Sequence, residues 1–158
     1  YGNELNNKSI AILLNERALA KSNMNNLKGA LDDYTQAIIE DSECSNAYNS
    51  RGLIKEILGD FQGALSDFTA AINYEPSASY YLFCRGQLEY RNIDYIRAFE
   101  DFNDAIKLSP KNHKYFYWRG RSRLELKDHE GARKDFLETL ELNPDFDSAK
   151  RLLRCIEN

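Results

Sequence analysis

The chain has 158 residues, 42% hydrophobic and 29% charged, with a formal net charge of −4, which suits one soluble globular unit with a real core. The mild acidic balance speaks against nucleic acid as the main partner, because phosphate binding shows as a basic face, and no apolar run approaches the roughly 20 residues of a membrane span. Cys44, Cys84 and Cys155 are odd in number, far apart and without a CxxC pair, a poor disulfide framework and a poor metal site. Three reduced thiols, no metal, no cofactor and a cytoplasmic setting are therefore expected, while a first residue of Tyr1 rather than Met leaves a removed segment or a larger parent open.

In chain order, residues 1–10 are rich in asparagine and are expected to lengthen the first helix by a turn or to stay loose. ALDDYTQAIIEDS follows from Ala30, and a further helix is predicted from about Ser45 to Leu58, ended by Gly59-Asp60. ALSDFTAAINYEP then begins at Ala64, AFEDFNDAIKLSP at Ala98 and ARKDFLETLELNP at Ala132, so one element returns at a period of 34. In the second copy Phe61, Ala64, Leu65, Phe68, Ala71 and Ile72 make one apolar stripe at helical spacing. Pro76 closes that helix, since proline cannot continue a hydrogen-bonded turn. Each unit is helix, short turn, helix, and such a pair buries its stripe only by stacking on neighbours. Residues 147–157 add a last helix with Ala149, Leu152, Leu153 and Ile156 on one face and Lys150, Arg151 and Arg154 on the other, the pattern of a cap.

Small residues keep the same phase. Gly52, Gly86 and Gly120 sit inside helices with Ala18 at the matching place, opposite Tyr34, Phe68, Phe102 and Phe136. A glycine inside a helix costs about 1 kcal/mol relative to alanine, so its recurrence predicts close helix approach, small beside large.

These residues resemble tetratricopeptide repeats. With units at 11–44, 45–78, 79–112 and 113–146, and 147–158 as cap, the resemblance covers 136 of the 158 residues. Gly52, Ala64, Phe68, Ala71 and Pro76 match the family's positions in the second unit, and Gly86, Ala98, Phe102, Ala105 and Pro110 in the third. The fourth has Gly120, Ala132, Phe136 and Pro144 but Thr139 where alanine is usual. The first has Ala18 for the glycine and Ser42 for the proline, and Leu14, Tyr48, Leu82 and Phe116 replace the usual early tryptophan. The resemblance implies an all-α, right-handed solenoid of four helix-turn-helix repeats plus a capping helix.

Arg17, Arg51, Arg85 and Arg119 also recur every 34 residues, as do Asp33, Asp67, Asp101 and Asp135. Equal numbers of opposite charges in one phase predict structural pairs, within a unit or across the next junction, rather than a row of anion hooks. Such pairs set register more than they stabilise.

The resemblance places the first helix of each unit along a concave groove. Its expected contacts are Asn15 and Asn49, whose amides offer a donor and an acceptor to a peptide backbone, then Tyr80, Phe83, Gln87, Tyr90, Arg91, Lys114, Tyr117, Trp118 and Arg121. Tyr, Trp and Arg are the residues most enriched at binding hot spots. Chaperone-binding relatives grip a terminal carboxylate with lysines, asparagines and an arginine. Here those positions hold Ile12, Glu16, Ser50, Tyr80 and Cys84, or Asn46, Ser50, Cys84, Lys114 and Trp118 one unit later, so a chaperone tail is not the expected ligand.

Catalysis is not expected. His113 and His129 are the only histidines, neither has a ligand spacing, and Cys84 has no evident partner base. The leading expectation is an adaptor or scaffold that binds an extended or helical segment of another protein. The alternatives are a structural protein or homo-oligomer joined through its ends and, more weakly, single-stranded RNA binding by stacked aromatics with Arg91, Lys114 and Arg121.

Overall fold

Four side chains spaced 34 residues apart start the second helix of every pair. In the computed structural model, Asn26, Asp60, Asp94 and Asp128 each accept a hydrogen bond from the backbone N–H three residues on, at 2.9–3.2 Å. That caps donors a helix start leaves without partners. Residues 2–157 are described, with side chains for 6–156. Among them the order is α1 (Gly2–Asn23), α2 (Leu27–Glu40), α3 (Ser45–Ile57), α4 (Phe61–Tyr74), α5 (Ser79–Arg91), α6 (Tyr95–Leu108), α7 (His113–Glu125), α8 (His129–Leu142) and α9 (Asp147–Glu157), with no strand. The helices gather into two units, Tyr1–Ser77 and Ala78–Asn158.

In the first unit α1 packs on α2, α2 on α3 and α3 on α4. Ala18, Ala30, Tyr34, Ala37, Ala47 and Ile54 form its first core. A Cβ on Gly52 would stand 2.9 Å from the Phe68 ring, so only glycine lets α3 approach α4 this closely. Phe68 and Ala64 are fully buried, while Phe61 at the edge of the predicted stripe is 45% exposed. The asparagine-rich start is helical from Gly2, so α1 has 22 residues where α3 has 13, and the extension exceeds the single turn expected.

In the second unit α5 packs on α6, α6 on α7, α7 on α8 and α8 on α9. A Cβ on Gly120 would likewise stand 2.8 Å from the Phe136 ring. Thr139 is fully buried where the other copies have alanine, and its hydroxyl donates to the Asp135 carbonyl at 2.8 Å, which satisfies the extra polar atom. Leu152, Leu153 and Ile156 of α9 pack against the cluster of Ala132, Phe136 and Ala149, while Arg151 and Arg154 are exposed.

The turns inside each pair need one left-handed residue. Asn25, Gly59, Ile93 and Lys127 fill it with φ of 59°, 84°, 67° and 66°. Asparagine and glycine tolerate that region, whereas a β-branched isoleucine is strained there.

Candidate functional site

Every recurrent arginine reaches the aspartate of its own helix pair. Arg17, Arg51, Arg85 and Arg119 each place Nε and Nη2 on the two carboxylate oxygens of Asp33, Asp67, Asp101 and Asp135, at 2.6–3.1 Å. The bidentate fork explains why arginine, and not lysine, holds this position. The arginines of α3 and α7 also cross a junction inside their unit. Arg51 Nη1 donates to Thr35 Oγ1 at 3.3 Å and Arg119 Nη1 to Asn103 Oδ1 at 2.9 Å.

A second cation, one helical turn later, is a feature that reading the repeats by arginine and aspartate alone misses. Lys21 lies 2.6 Å from Asp33, Lys55 2.8 Å from Asp67 and Arg123 2.9 Å from Asp135. The signal was available, since i and i+4 share a helix face. In the third copy the same position is Glu89. It is 7% exposed, shares a hydrogen bond with Asp101, and leaves Oε2 buried without a partner. Burial first, then the Asp101 and Asp94 charges, push the Glu89 carboxyl up to about 8, against the pull of Arg85. Glu89 is thus protonated near neutral pH and donates to Asp101. In the first copy, by contrast, the Arg17 hydrogen bonds hold the Asp33 carboxyl down at about 2.

The groove register gives different surfaces in the two units. In the first, Leu19, Ser22, Tyr34, Ser50, Leu53, Ile54, Glu56 and Ile57 line a cavity of about 300 Å³. Leu19 is 47% and Ile57 67% exposed, so its mouth is apolar. Asn15 is half-buried and Asn49 buried, and each leaves its Oδ1 buried without a hydrogen-bond donor.

In the second unit the predicted contacts largely engage one another. The Arg121 guanidinium lies 4.6 Å from the ring centres of both Tyr90 and Trp118 and 5.9 Å from Tyr117. Tyr90 meets Trp118 edge to face at 5.3 Å and donates from its hydroxyl to Glu125 at 3.1 Å. Tyr117 packs 4.9 Å from Phe146. Arg121 therefore occupies the ring faces that a nucleobase would stack on. Phe83 is buried against Phe102 and Tyr115, at 5.9 and 5.0 Å. Its position matches the groove register, but packing turns it into core. Gln87 is half-buried, and Tyr80, Arg91 and Lys114 are exposed.

The remaining reactive side chains are quiet. Burial pushes the Cys84 thiol up to about 11 despite a hydrogen bond from Tyr80, so it is no thiolate nucleophile. His113 opens α7, contacts Asn143 at 3.2 Å and meets Phe146 edge to face; burial lowers its pKa. His129 opens α8. Among the described residues no cluster of three or more His, Cys, Asp or Glu is placed to hold a metal ion, and no helix is long and apolar enough to cross a membrane.

The tetratricopeptide repeat family profile matches residues 15–78, 57–113 and 85–149. The chain belongs to the tetratricopeptide repeat family. Its fold is all-α and helical-repeat, of the solenoid class, and a tetratricopeptide repeat chain is a protein–protein interaction module, generally without catalysis. Among solved structures it is similar to the first tetratricopeptide domain of Spaghetti (RPAP3) bound to the HSP90 peptide SRMEEVD, at 26% identity over 74% of this chain and 93% of that one, TM-score 0.71. It is similar in fold to MamA (41-end) from Desulfovibrio magneticus RS-1, at 15% identity over 92% and 82% of the two chains, TM-score 0.85. A tetratricopeptide repeat protein from Parabacteroides merdae shares 22% identity over 94% of this chain and 59% of its own, TM-score 0.84. No curated protein sequence matches this tetratricopeptide repeat chain.

Proposed function

We propose that the chain is an adaptor whose first unit holds a segment of a partner protein by one apolar side chain. The observation that carries this is the cavity of about 300 Å³ bordered by Leu19, Leu53, Ile54 and Ile57. Its size accepts a leucine, methionine or phenylalanine side chain, and its mouth keeps exposed apolar atoms that gain from being covered. In the second unit Tyr80, Arg91 and Lys114 are the exposed residues of the expected contact set, while Phe83, Trp118 and Arg121 hold the fold together.

The Spaghetti domain is bound to a peptide ending in EEVD. We infer a different ligand here. The family's carboxylate-clamp positions carry Ile12 and Glu16, both exposed, and Glu16 repels a terminal carboxylate.

Selection from a random peptide library tests the reading. Enriched peptides should share one apolar position, and their binding should weaken at least tenfold in Leu53→Lys while Trp118→Ala leaves it within about twofold. Peptides that bind Leu53→Lys as well as the native chain, with that variant melting like the parent, would sink the proposal.

A further inference from the structure

The two units differ in charge. Residues 1–77 carry six lysines and arginines against eleven aspartates and glutamates, whereas residues 78–158 carry fifteen against fourteen. The negative excess of the chain therefore lies in the first unit. Four of its six cations are also committed inside the fold. Arg17 and Lys21 hold Asp33, while Arg51 and Lys55 hold Asp67. Nine of the eleven acidic residues are then left with Lys8 and Lys28 to balance them. A positive segment is drawn to this unit from solution, and a negative one is turned away.

The same sign prevails at the ligand cavity. Its lining includes Glu56 but no lysine or arginine. Glu16 stands on α1 one turn before Leu19, so the two side chains share a helix face. Leu19 belongs to the cavity mouth, and Glu16 is exposed beside it. Burial raises the pKa of Tyr34 and the nearby Glu16 charge raises it further, against a hydrogen bond shared with Ser50. Tyr34 and Ser50 both line the cavity, so the Glu16 carboxylate lies close to its rim. Glu56 is already engaged within the chain, and Glu16 is the exposed carboxylate of the pair.

We propose that the partner segment held by the first unit carries a lysine or arginine one or two residues from its apolar anchor, and that Glu16 binds it. This rests on the anchored-segment function proposed above. The spacing follows from α1 itself. Three helical steps separate Glu16 from Leu19, a rise of about 4.5 Å, and an extended segment covers that in one to two residues of about 3.3 Å each. The long stem of a lysine or arginine lies over the apolar mouth while its charged head reaches the carboxylate. Because this pair stays in water, it adds selectivity more than affinity. The apolar anchor supplies the hold, and the charge decides among apolar segments. The preference is opposite in sign to the peptide on the Spaghetti domain, whose EEVD end is acidic.

Peptides enriched from the random library, with both ends capped, are the probes, and fluorescence anisotropy measures their binding. They should carry a lysine or arginine within two positions of the shared apolar residue. Exchanging that residue for glutamate should weaken binding to the native chain about fivefold or more, since an attraction becomes a repulsion. Glu16→Lys alters an exposed side chain, so it should melt like the parent. It should reverse the order and bind the glutamate peptides more tightly than their basic parents. Enriched peptides with no basic residue near the apolar one overturn this inference. So does a charge exchange that the native and Glu16→Lys chains answer alike; in either case loss of binding in Leu53→Lys still upholds the cavity. Peptides indifferent to Leu53→Lys, or a library that yields no binder, overturn the cavity and this inference with it.

Discussion

The two units use one sequence register in opposite ways. In the first, groove positions leave an apolar cavity and two amide oxygens without donors, while each buried aspartate has two cations. In the second, Arg121 stacks against Tyr90 and Trp118 and closes the matching surface, while Asp101 faces Glu89 where a second cation belongs. One surface is open and its charges are matched. The other is closed, with Asp135 held by two cations but Asp101 by Arg85 and a buried carboxyl. A repeat therefore conserves its scaffold geometry while single residues decide whether a face is finished by the chain itself or left for a ligand.

Exchanging the register residue should break this contrast most strongly. Lys55→Glu puts a carboxylate beside Asp67 in the first unit and should destabilise by about 3 kcal/mol at pH 8, measured by urea unfolding. Glu89→Lys should do the reverse in the second unit, raising stability by about 1–2 kcal/mol at the same pH. No change in either variant would mean that the buried site tolerates both charge patterns.

Next in size is the response to pH. Glu89 has a folded-state pKa near 8, above its ordinary 4.5, so the stability it contributes is fully present below about 4.5 and is lost as pH rises through 8. Asp33 has a folded-state value near 2, below its ordinary 3.8, so its contribution is present above about 3.8 and is lost as pH falls through 2. The second unit should be base-labile and the first acid-labile. Thermal melts of Glu89→Gln should lose the alkaline decline and keep the acid one; a persistent alkaline decline would place its origin elsewhere.

The smallest expected effects lie in the turns. Ile93→Gly should stabilise by about 1 kcal/mol, since it relieves a β-branched residue at positive φ. Gly59→Ala at the same position in the first unit should destabilise by about 1 kcal/mol. Melting shifts of the same sign for both would show that side-chain packing, not backbone strain, governs these turns.

Much of the scaffold was legible in the sequence, for a local reason. The recurring ALSDFTAAINYEP element marks the second helix of each pair, glycines mark close approach, and large aromatic rings mark the knobs that fill it, all within short windows. The arginine–aspartate pairs were legible because equal opposite charges share one phase. The second cation was also within reach, through the spacing of Arg17 and Lys21. Phe83 was misplaced because helical phase gives a direction but not what stands there, and Phe102 and Tyr115 cover it. The same limit hid the mutual stacking of Tyr90, Trp118 and Arg121, three positions that each read as ligand contacts.

The sequence by itself determined the period, the helix pairs, the capping helix and the family, because each follows from spacing along one chain. Only the tertiary structure decided which groove residues stay open, which arginine is covered, and that Glu89 holds a proton. Burial and desolvation belong to a residue's neighbours in space, and those come from helices far away in sequence.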